Sequence, residues 1–141
     1  MRDVDWGRPA MKGPWNLGVK VQDVDAELAF LSACGATGIE RGVTQGNEGD
    51  EPYGMAFLGT QRLLLFQRVL YEKNLGEPMK HGLAHAVFEV DDADRVVRQL
   101  EARGVLPVWG PRDLPTAFGT RRLAFFRSPS NFIFEVFEHR P

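Results

Sequence analysis

The sequence predicts an α+β fold in which two βαβββ modules form one curved mixed sheet around a cup-shaped cavity. The first observation is a repeat: residues 21–35 (VQDVDAELAFLSACG) and 90–104 (VDDADRVVRQLEARG) align with a shift of about 69 residues. The second is that each copy follows one strand-like run and precedes three more. A period of this length that occurs only twice indicates a duplicated module rather than a solenoid.

Each aligned stretch predicts one helix. Asp23 and Asp92 are suited to accept hydrogen bonds from the first free N–H groups of the two helices. Gly35 and Gly104 can end them, because glycine adopts the left-handed conformation that follows a last helical turn. Apolar residues recur at helical spacing, as Val24, Leu28 and Leu31 in the first helix and as Ala93, Val96, Val97 and Leu100 in the second.

Strand-like runs surround both helices. In the first module they are residues 15–21, 38–44, 53–59 and 62–68, and in the second module they are residues 82–90, 105–110, 121–127 and 131–138. Loops or turns are predicted at 44–52, 70–81 and 111–119. The modules therefore span about 14–69 and 82–139 of a single domain, 14–141, and residues 1–13 form an N-terminal arm outside the repeat.

Composition and charge narrow the classes of function. The net charge is −2, and basic residues are scattered, so nucleic-acid binding is not expected. No apolar run approaches the ~20 residues that cross a bilayer, and the N-terminus lacks the apolar segment of a secretory signal. One cysteine, Cys34, excludes an internal disulfide framework. We therefore expect a cytoplasmic protein that is not membrane-bound.

His85 lies in an apolar strand whose side chains alternate between two faces. The face expected to pack on the helices consists of Ala84, Ala86, Phe88 and Val90. His85 lies on the other face, and Glu135 lies between Ile133 and Phe137 on the corresponding face of the last strand. Because burying an unpaired carboxylate costs several kcal/mol, we expect Glu135 and His85 to line a polar hollow on the concave side of the sheet. A structural His–Glu hydrogen bond in a packed interior is the alternative.

The duplicated modules, the string AHAVFEVDD and the ending FFRSPSNFIFEVFE resemble the vicinal oxygen chelate superfamily over about residues 14–139. This superfamily includes glyoxalase I, methylmalonyl-CoA epimerase, extradiol dioxygenases, and fosfomycin- and bleomycin-resistance proteins. In its C-terminal signature, Ser128 stands here in place of the usual aspartate and Asn131 stands near the usual glycine. Asparagine also tolerates left-handed backbone angles.

In metal-binding members, four facing strands supply ligands to one divalent cation, and the resemblance places those positions at Asn16, Leu64, His85 and Glu135. His85 and Glu135 are ligand types, whereas Leu64 is not; a register slip of two would put Phe66, equally unable to ligate, in its place. The resemblance implies one Fe, Zn, Mn or Ni ion held by His85, Glu135 and Asn16. Since such ions generally need about three protein ligands, it is left open whether an ion is bound.

Three functions remain open at this stage. In the first, the resemblance implies a metal-assisted lyase, isomerase or ring-cleaving dioxygenase that acts on a small organic molecule. In the second, the protein binds an aromatic or antibiotic ligand without a metal, as bleomycin-resistance proteins do. In the third, His85 and Glu135 form a metal-free catalytic acid–base pair. The expected substrate-binding residues are Lys20, Arg62, Leu64, Phe66 and Phe137. The resemblance also implies a homodimer.

Overall fold

The computed structural model describes residues 7–141, and over this range the chain forms two βαβββ modules, as predicted. The first contains β1 (Lys12–Lys20), α1 (Val24–Ala33), β2 (Thr37–Gly46), β3 (Gly49–Leu58) and β4 (Gln61–Phe66). The second contains β5 (Gly82–Glu89), α2 (Ala93–Glu101), β6 (Trp109–Thr116), β7 (Gly119–Arg127) and β8 (Ile133–Arg140). A short 3₁₀ helix, Glu72–Asn74, lies in the linker between the modules.

The eight strands form one mixed sheet in the order β2-β3-β4-β1-β5-β8-β7-β6. The two modules meet where β1 pairs antiparallel with β5. Within each module the first strand also pairs parallel with the last, β1 with β4 and β5 with β8. The edge strands β2 and β6 contact each other, so the sheet curls into a half-barrel with a concave and a convex face. The predicted α+β fold class is therefore confirmed.

The two helices cover the convex face. Asp23 accepts a hydrogen bond from the Ala26 N–H at 3.0 Å, and Asp92 accepts one from the Arg95 N–H at 3.1 Å, which confirms both predicted N-caps. The apolar stripe of α1 packs on β3 and β4, and that of α2 packs on β7 and β8. No helix in residues 7–141 is long and apolar enough to span a bilayer.

Two predicted loops prove to be mostly strand. Residues 44–52 form the end of β2, a two-residue turn and the start of β3. The second strand of the second module, β6, runs over Trp109–Thr116 instead of 105–110, so the turn predicted at 111–119 shrinks to residues 117 and 118. Both errors concern hairpins that contain an edge strand, β2 in the first module and β6 in the second. Their exposed polar side chains, and the prolines that an edge tolerates, resemble loop sequence.

The start of β1 and the middle of β5 also differ from the simple pattern. Residues 1–6 of the predicted arm lie outside the described residues, and β1 begins at Lys12, which pairs with Glu89. In β5 the register with β1 shifts between Gly18 and Val19, so Ala84 is an extra residue. Ala84 therefore packs with Tyr71 and Val87, not with the helix-side residues as its alternation predicted.

Candidate functional site

The concave face of the sheet forms a cavity that is partly open to solvent, and the empty space within it, open solvent included, is about 750 Å³. All four positions at which the family resemblance places metal ligands line it: Asn16, Leu64, His85 and Glu135. They come from four strands, β1, β4, β5 and β8, which are adjacent at the centre of the sheet. The duplicated topology thus brings residues that are up to 119 positions apart to one wall.

Strand register shows which residue of the first module corresponds to Glu135. Val87, two positions after His85, pairs with Glu135 across β5 and β8. Gly18, two positions after Asn16, pairs with Leu64 across β1 and β4. Leu64, not Phe66, is therefore the counterpart of Glu135, and the slipped alternative considered from the sequence does not occur.

The imidazole of His85 is fixed by its neighbours on two sides. Its Nδ1 atom is hydrogen-bonded to the Tyr71 hydroxyl at 2.9 Å. Its ring lies over Gly18 of the adjacent strand, where any Cβ would overlap the ring, so glycine is required at that position. Burial lowers the pKa of His85 to about 4. The imidazole is therefore neutral at physiological pH.

Glu135 is the second buried ionisable group of the wall, with 8% of its surface exposed. Burial raises the pKa of its carboxyl to about 7, and the positive charge of Arg121 opposes this effect without overcoming it. Among residues 7–141, no hydrogen bond or ion pair holds the carboxylate. The structural His–Glu hydrogen bond that was the alternative reading is therefore absent from the described part of the chain.

Two further polar side chains of the cavity have unpaired atoms. Both the oxygen and the nitrogen of the Asn16 amide are buried without a hydrogen-bond partner in residues 7–141, and Asn16 is only 1% exposed. The Nε and Nη2 atoms of Arg121 are also buried without a hydrogen-bond partner in residues 7–141, and 4% of this residue is exposed. Buried polar groups of native proteins are nearly always paired, so these atoms are suited to meet a bound molecule.

The five expected substrate-binding residues divide into two groups. Leu64 and Phe66 line the cavity. The other three do not. The Lys20 ammonium forms a 2.6 Å ion pair with Glu72, the Arg62 guanidinium lies 3.7 Å from the centre of the Trp15 ring, and Phe137 is fully buried among apolar neighbours on the concave side. A side chain can thus lie on the predicted face of a strand and still contact neighbouring residues instead of the cavity.

Sequence reasoning missed Tyr71 and Arg121. Tyr71 falls in the predicted loop 70–81 but is fully buried, and nothing in the local pattern distinguishes it. For Arg121, the sequence does contain a pattern that indicates a place in the cavity. It shares a strand face with Leu123 and Phe125 in the run RRLAFFR, and an arginine on an apolar face implies a partner or a cavity, as the glutamate at 135 did.

The donor set does not fit a usual divalent-metal site. Among residues 7–141 there is no group of three or more His, Cys, Asp or Glu side chains placed to hold an ion. Leu64 supplies an apolar side chain where a third strong ligand would be needed. The Arg121 guanidinium also places a positive charge in the cavity, which disfavours a second cation there.

The chain matches one protein family, described as the Glyoxalase/Bleomycin resistance protein/Dioxygenase superfamily, over residues 16–136. The match begins at Asn16 and ends one residue after Glu135, so it includes both modules and all four cavity positions. No curated protein matches the sequence.

Several solved structures have the same fold. A variant of methylmalonyl-CoA epimerase from Streptomyces coelicolor, in complex with 2-nitronate-propionyl-CoA, has a TM-score of 0.69 and 19% identity, covering 94% of this chain and 100% of that one. A methylmalonyl-CoA epimerase with methylmalonyl-CoA and NH4+ has a TM-score of 0.68 and 19% identity over 92% and 96% of the two chains. The epimerase from Mycobacterium tuberculosis has a TM-score of 0.64 and 17% identity over 93% and 88%.

Proposed function

The chain belongs to the glyoxalase/bleomycin resistance protein/dioxygenase superfamily, as the sequence resemblance predicted, and from this premise we propose that it is a small-molecule enzyme that transfers a proton in its cavity. The substrate would be a carbon acid, with a C–H group next to a carbonyl. The observation that carries the proposal is the Glu135 carboxyl: it is buried on the cavity wall, unpaired within residues 7–141, and its pKa is raised to about 7. A base with a pKa near the working pH is the most effective one.

The proposed reaction needs three side chains. The ionised Glu135 carboxylate removes the proton, the electron pair of the C–H bond moves onto the carbonyl oxygen, and the proton then returns to carbon. The Asn16 amide N–H donates a hydrogen bond to that oxygen, which becomes the enolate oxygen. His85 is neutral and held by Tyr71, so it positions the substrate rather than competing as the base.

Hydrogen exchange with solvent tests this reaction directly. Protein treated with a chelator is incubated in D2O with methylmalonyl-CoA, the ligand of one structural neighbour, and with a panel of 2-substituted 3-oxo acids. Loss of the α-proton signal is followed by NMR. We expect exchange whose rate rises with pH to a plateau above pH 7, because only the ionised carboxylate is a base. Glu135→Gln should slow it by about 100-fold or more, whereas Glu101→Gln, a change on an exposed helix end, should not.

Either of two results would contradict the proposal. Exchange that survives Glu135→Gln would exclude Glu135 as the base. Activity that appears only after Fe, Zn, Mn or Ni is added, with a stoichiometric ion that is lost in His85→Ala, would support the metal-dependent alternative with Asn16, His85 and Glu135 as ligands.

Binding without chemistry is the second candidate function. It is favoured by the apolar character of much of the wall, which includes Leu64, Phe66, Val87, Leu123 and Phe125. Tight binding of an aromatic ligand, equal in the native protein and in Glu135→Gln, with no exchange for any carbon acid of the panel, would support it.

The homodimer implied by the family resemblance stays a prediction. Sedimentation equilibrium of the full chain tests it, because a dimer doubles the mass of about 15.8 kDa. The assays proposed above use the full chain in whichever state it adopts.

A further inference from the structure

The Arg121 side chain lines the cavity and has a hydrogen-bonding edge that no group of residues 7–141 uses. Its Nε and Nη2 atoms are both unpartnered among residues 7–141. These two nitrogens lie on the same side of a guanidinium, and their N–H bonds are nearly parallel. This is the edge that binds both oxygens of a carboxylate at once. Arg121 lines the cavity and is about 96% buried, so a molecule inside the cavity is the partner available to it.

Aromatic rings hold this guanidinium in place. Its central carbon lies 4.1 Å from the centre of the Phe137 ring and 4.2 Å from that of Trp15, with Phe118 at 5.1 Å. Phe137 is two residues from Glu135 on the same strand face, and Trp15 precedes Asn16, so the guanidinium is held by rings that are neighbours of the cavity wall in sequence. Burial lowers the pKa of Arg121 to about 10, which leaves the group positively charged at neutral pH.

No acidic residue of residues 7–141 forms an ion pair with Arg121. Among the carboxylates, Glu135 has the largest electrostatic effect on Arg121, yet the strand register keeps the two residues apart. Arg121 pairs with His139 across β7 and β8, whereas Glu135 pairs with Phe125, four residues farther along β7. Their backbones are therefore about 13 Å apart along the strand. The carboxylates of Glu135 and Glu89 act on Arg121 without forming an ion pair with it. A buried charge without a hydrogen-bonded partner is costly, so a ligand that supplies a negative charge would stabilise it.

We infer that the Nε–Nη2 edge of Arg121 binds a carboxylate, or another planar group with two anionic oxygens, of the molecule that occupies the cavity. The inference rests on the proposed function in that it makes this cavity the substrate site. It adds that the substrate is an anion, oriented with its charged end at Arg121 and its reacting carbon toward Glu135. Lysine cannot replace arginine here, because an ammonium is a point charge without a two-pronged edge.

A matched pair of small ligands tests this inference. Benzoate and benzamide have nearly the same shape, but only benzoate has two anionic oxygens. Each is titrated into the full chain, and the Nε–H signal of Arg121 is followed by NMR. We expect benzoate to shift this signal and to bind about tenfold more tightly than benzamide or better. Arg121→Met should abolish the preference, and Arg121→Lys should restore only a small part of it.

Arg112→Met is the matched control, because Arg112 also lies over a tryptophan, Trp109 at 4.7 Å, but is exposed. It should keep the preference for benzoate. Equal affinities for the two ligands, no benzoate binding up to its solubility, or a preference that survives Arg121→Met would each overturn the inference. The two proposals fail separately. A preference for benzoate without hydrogen exchange of any carbon acid in the panel contradicts the enzyme, and exchange that depends on Glu135 without a preference for benzoate contradicts the role of Arg121.

Discussion

Replacing Glu135 or His85 should change the pH dependence of stability in opposite directions, because both are buried ionisable groups of one cavity wall. The substitutions are Glu135→Gln and His85→Gln, which keep similar size and polarity but do not ionise over the relevant range. The expected size of each effect follows from the pKa that burial gives each group.

For Glu135, burial raises the pKa from 4.5 to about 7. Between these two values the folded protein holds a proton that the unfolded chain releases. The stability from this group is therefore fully present below pH 4.5 and is lost as the pH rises through 7. Each pKa unit corresponds to about 1.4 kcal/mol, so the loss is about 3 kcal/mol. Relative to the native protein, Glu135→Gln should gain about this much free energy of unfolding between pH 4.5 and 7.

For His85 the sign is reversed. Burial lowers its pKa from 6.5 to about 4, so below 6.5 the unfolded chain binds a proton that the folded protein does not. Stability from this group is present above pH 6.5 and is lost as the pH falls through 4, again by about 3 kcal/mol. In the native protein the effects of the two groups on the free energy of unfolding oppose each other between pH 4.5 and 6.5. Replacing one group should therefore make the pH dependence due to the other group visible.

Urea unfolding of the three proteins across this pH range measures the effect. The difference between a variant and the native protein removes the contribution of all other titrating groups, and Glu101→Gln provides a control with an exposed carboxylate. We expect the difference for Glu135→Gln to rise with pH and that for His85→Gln to rise as the pH falls. A difference that stays constant within about 1 kcal/mol for either variant would refute the assignment of that group as buried and unpaired.

Two further substitutions test the unpaired Asn16 amide and the missing ligand at Leu64. Asn16→Leu removes two buried polar atoms without partners in residues 7–141, so it should raise the free energy of unfolding by about 1–3 kcal/mol. It should also slow hydrogen exchange of the substrate. A variant less stable than the native protein would show that the amide is paired. Leu64→Glu adds a third side chain that can ligate a metal ion beside His85 and Glu135. Calorimetry should therefore detect one Zn²⁺ ion per chain, bound about 100-fold more tightly than by the control Leu64→Gln. Equal affinities of the two variants would show that these positions do not converge.

Much of the fold could be predicted because local patterns repeat. Asp23 and Asp92 cap the two helices as expected, and Gly35 and Gly104 follow them with φ of 90° and 80°. Asn131 takes the left-handed conformation that its place near the usual glycine of the family signature predicted, with φ of 65°. Edge strands were predicted poorly, because pairing on one side and exposure on the other leave little hydrophobic signal.

The alternation of side chains in the strands placed His85 and Glu135 on the concave side, and the family resemblance supplied Asn16 and Leu64 as the other two positions of the cavity wall. The sequence could not show how their polar atoms are satisfied. Whether His85 contacts Glu135 or Tyr71 depends on where the inter-module linker packs, and that is set by contacts between distant segments.

The sequence by itself thus determined the duplicated architecture and which faces of the central strands carry His85 and Glu135, because both follow from patterns that can be read along the chain. Only the tertiary structure decided that Arg121 shares the cavity, that Lys20 is neutralised by Glu72, and that Leu64 rather than Phe66 opposes Gly18. These depend on register and on charges brought together across the sheet, and sequence spacing contains neither.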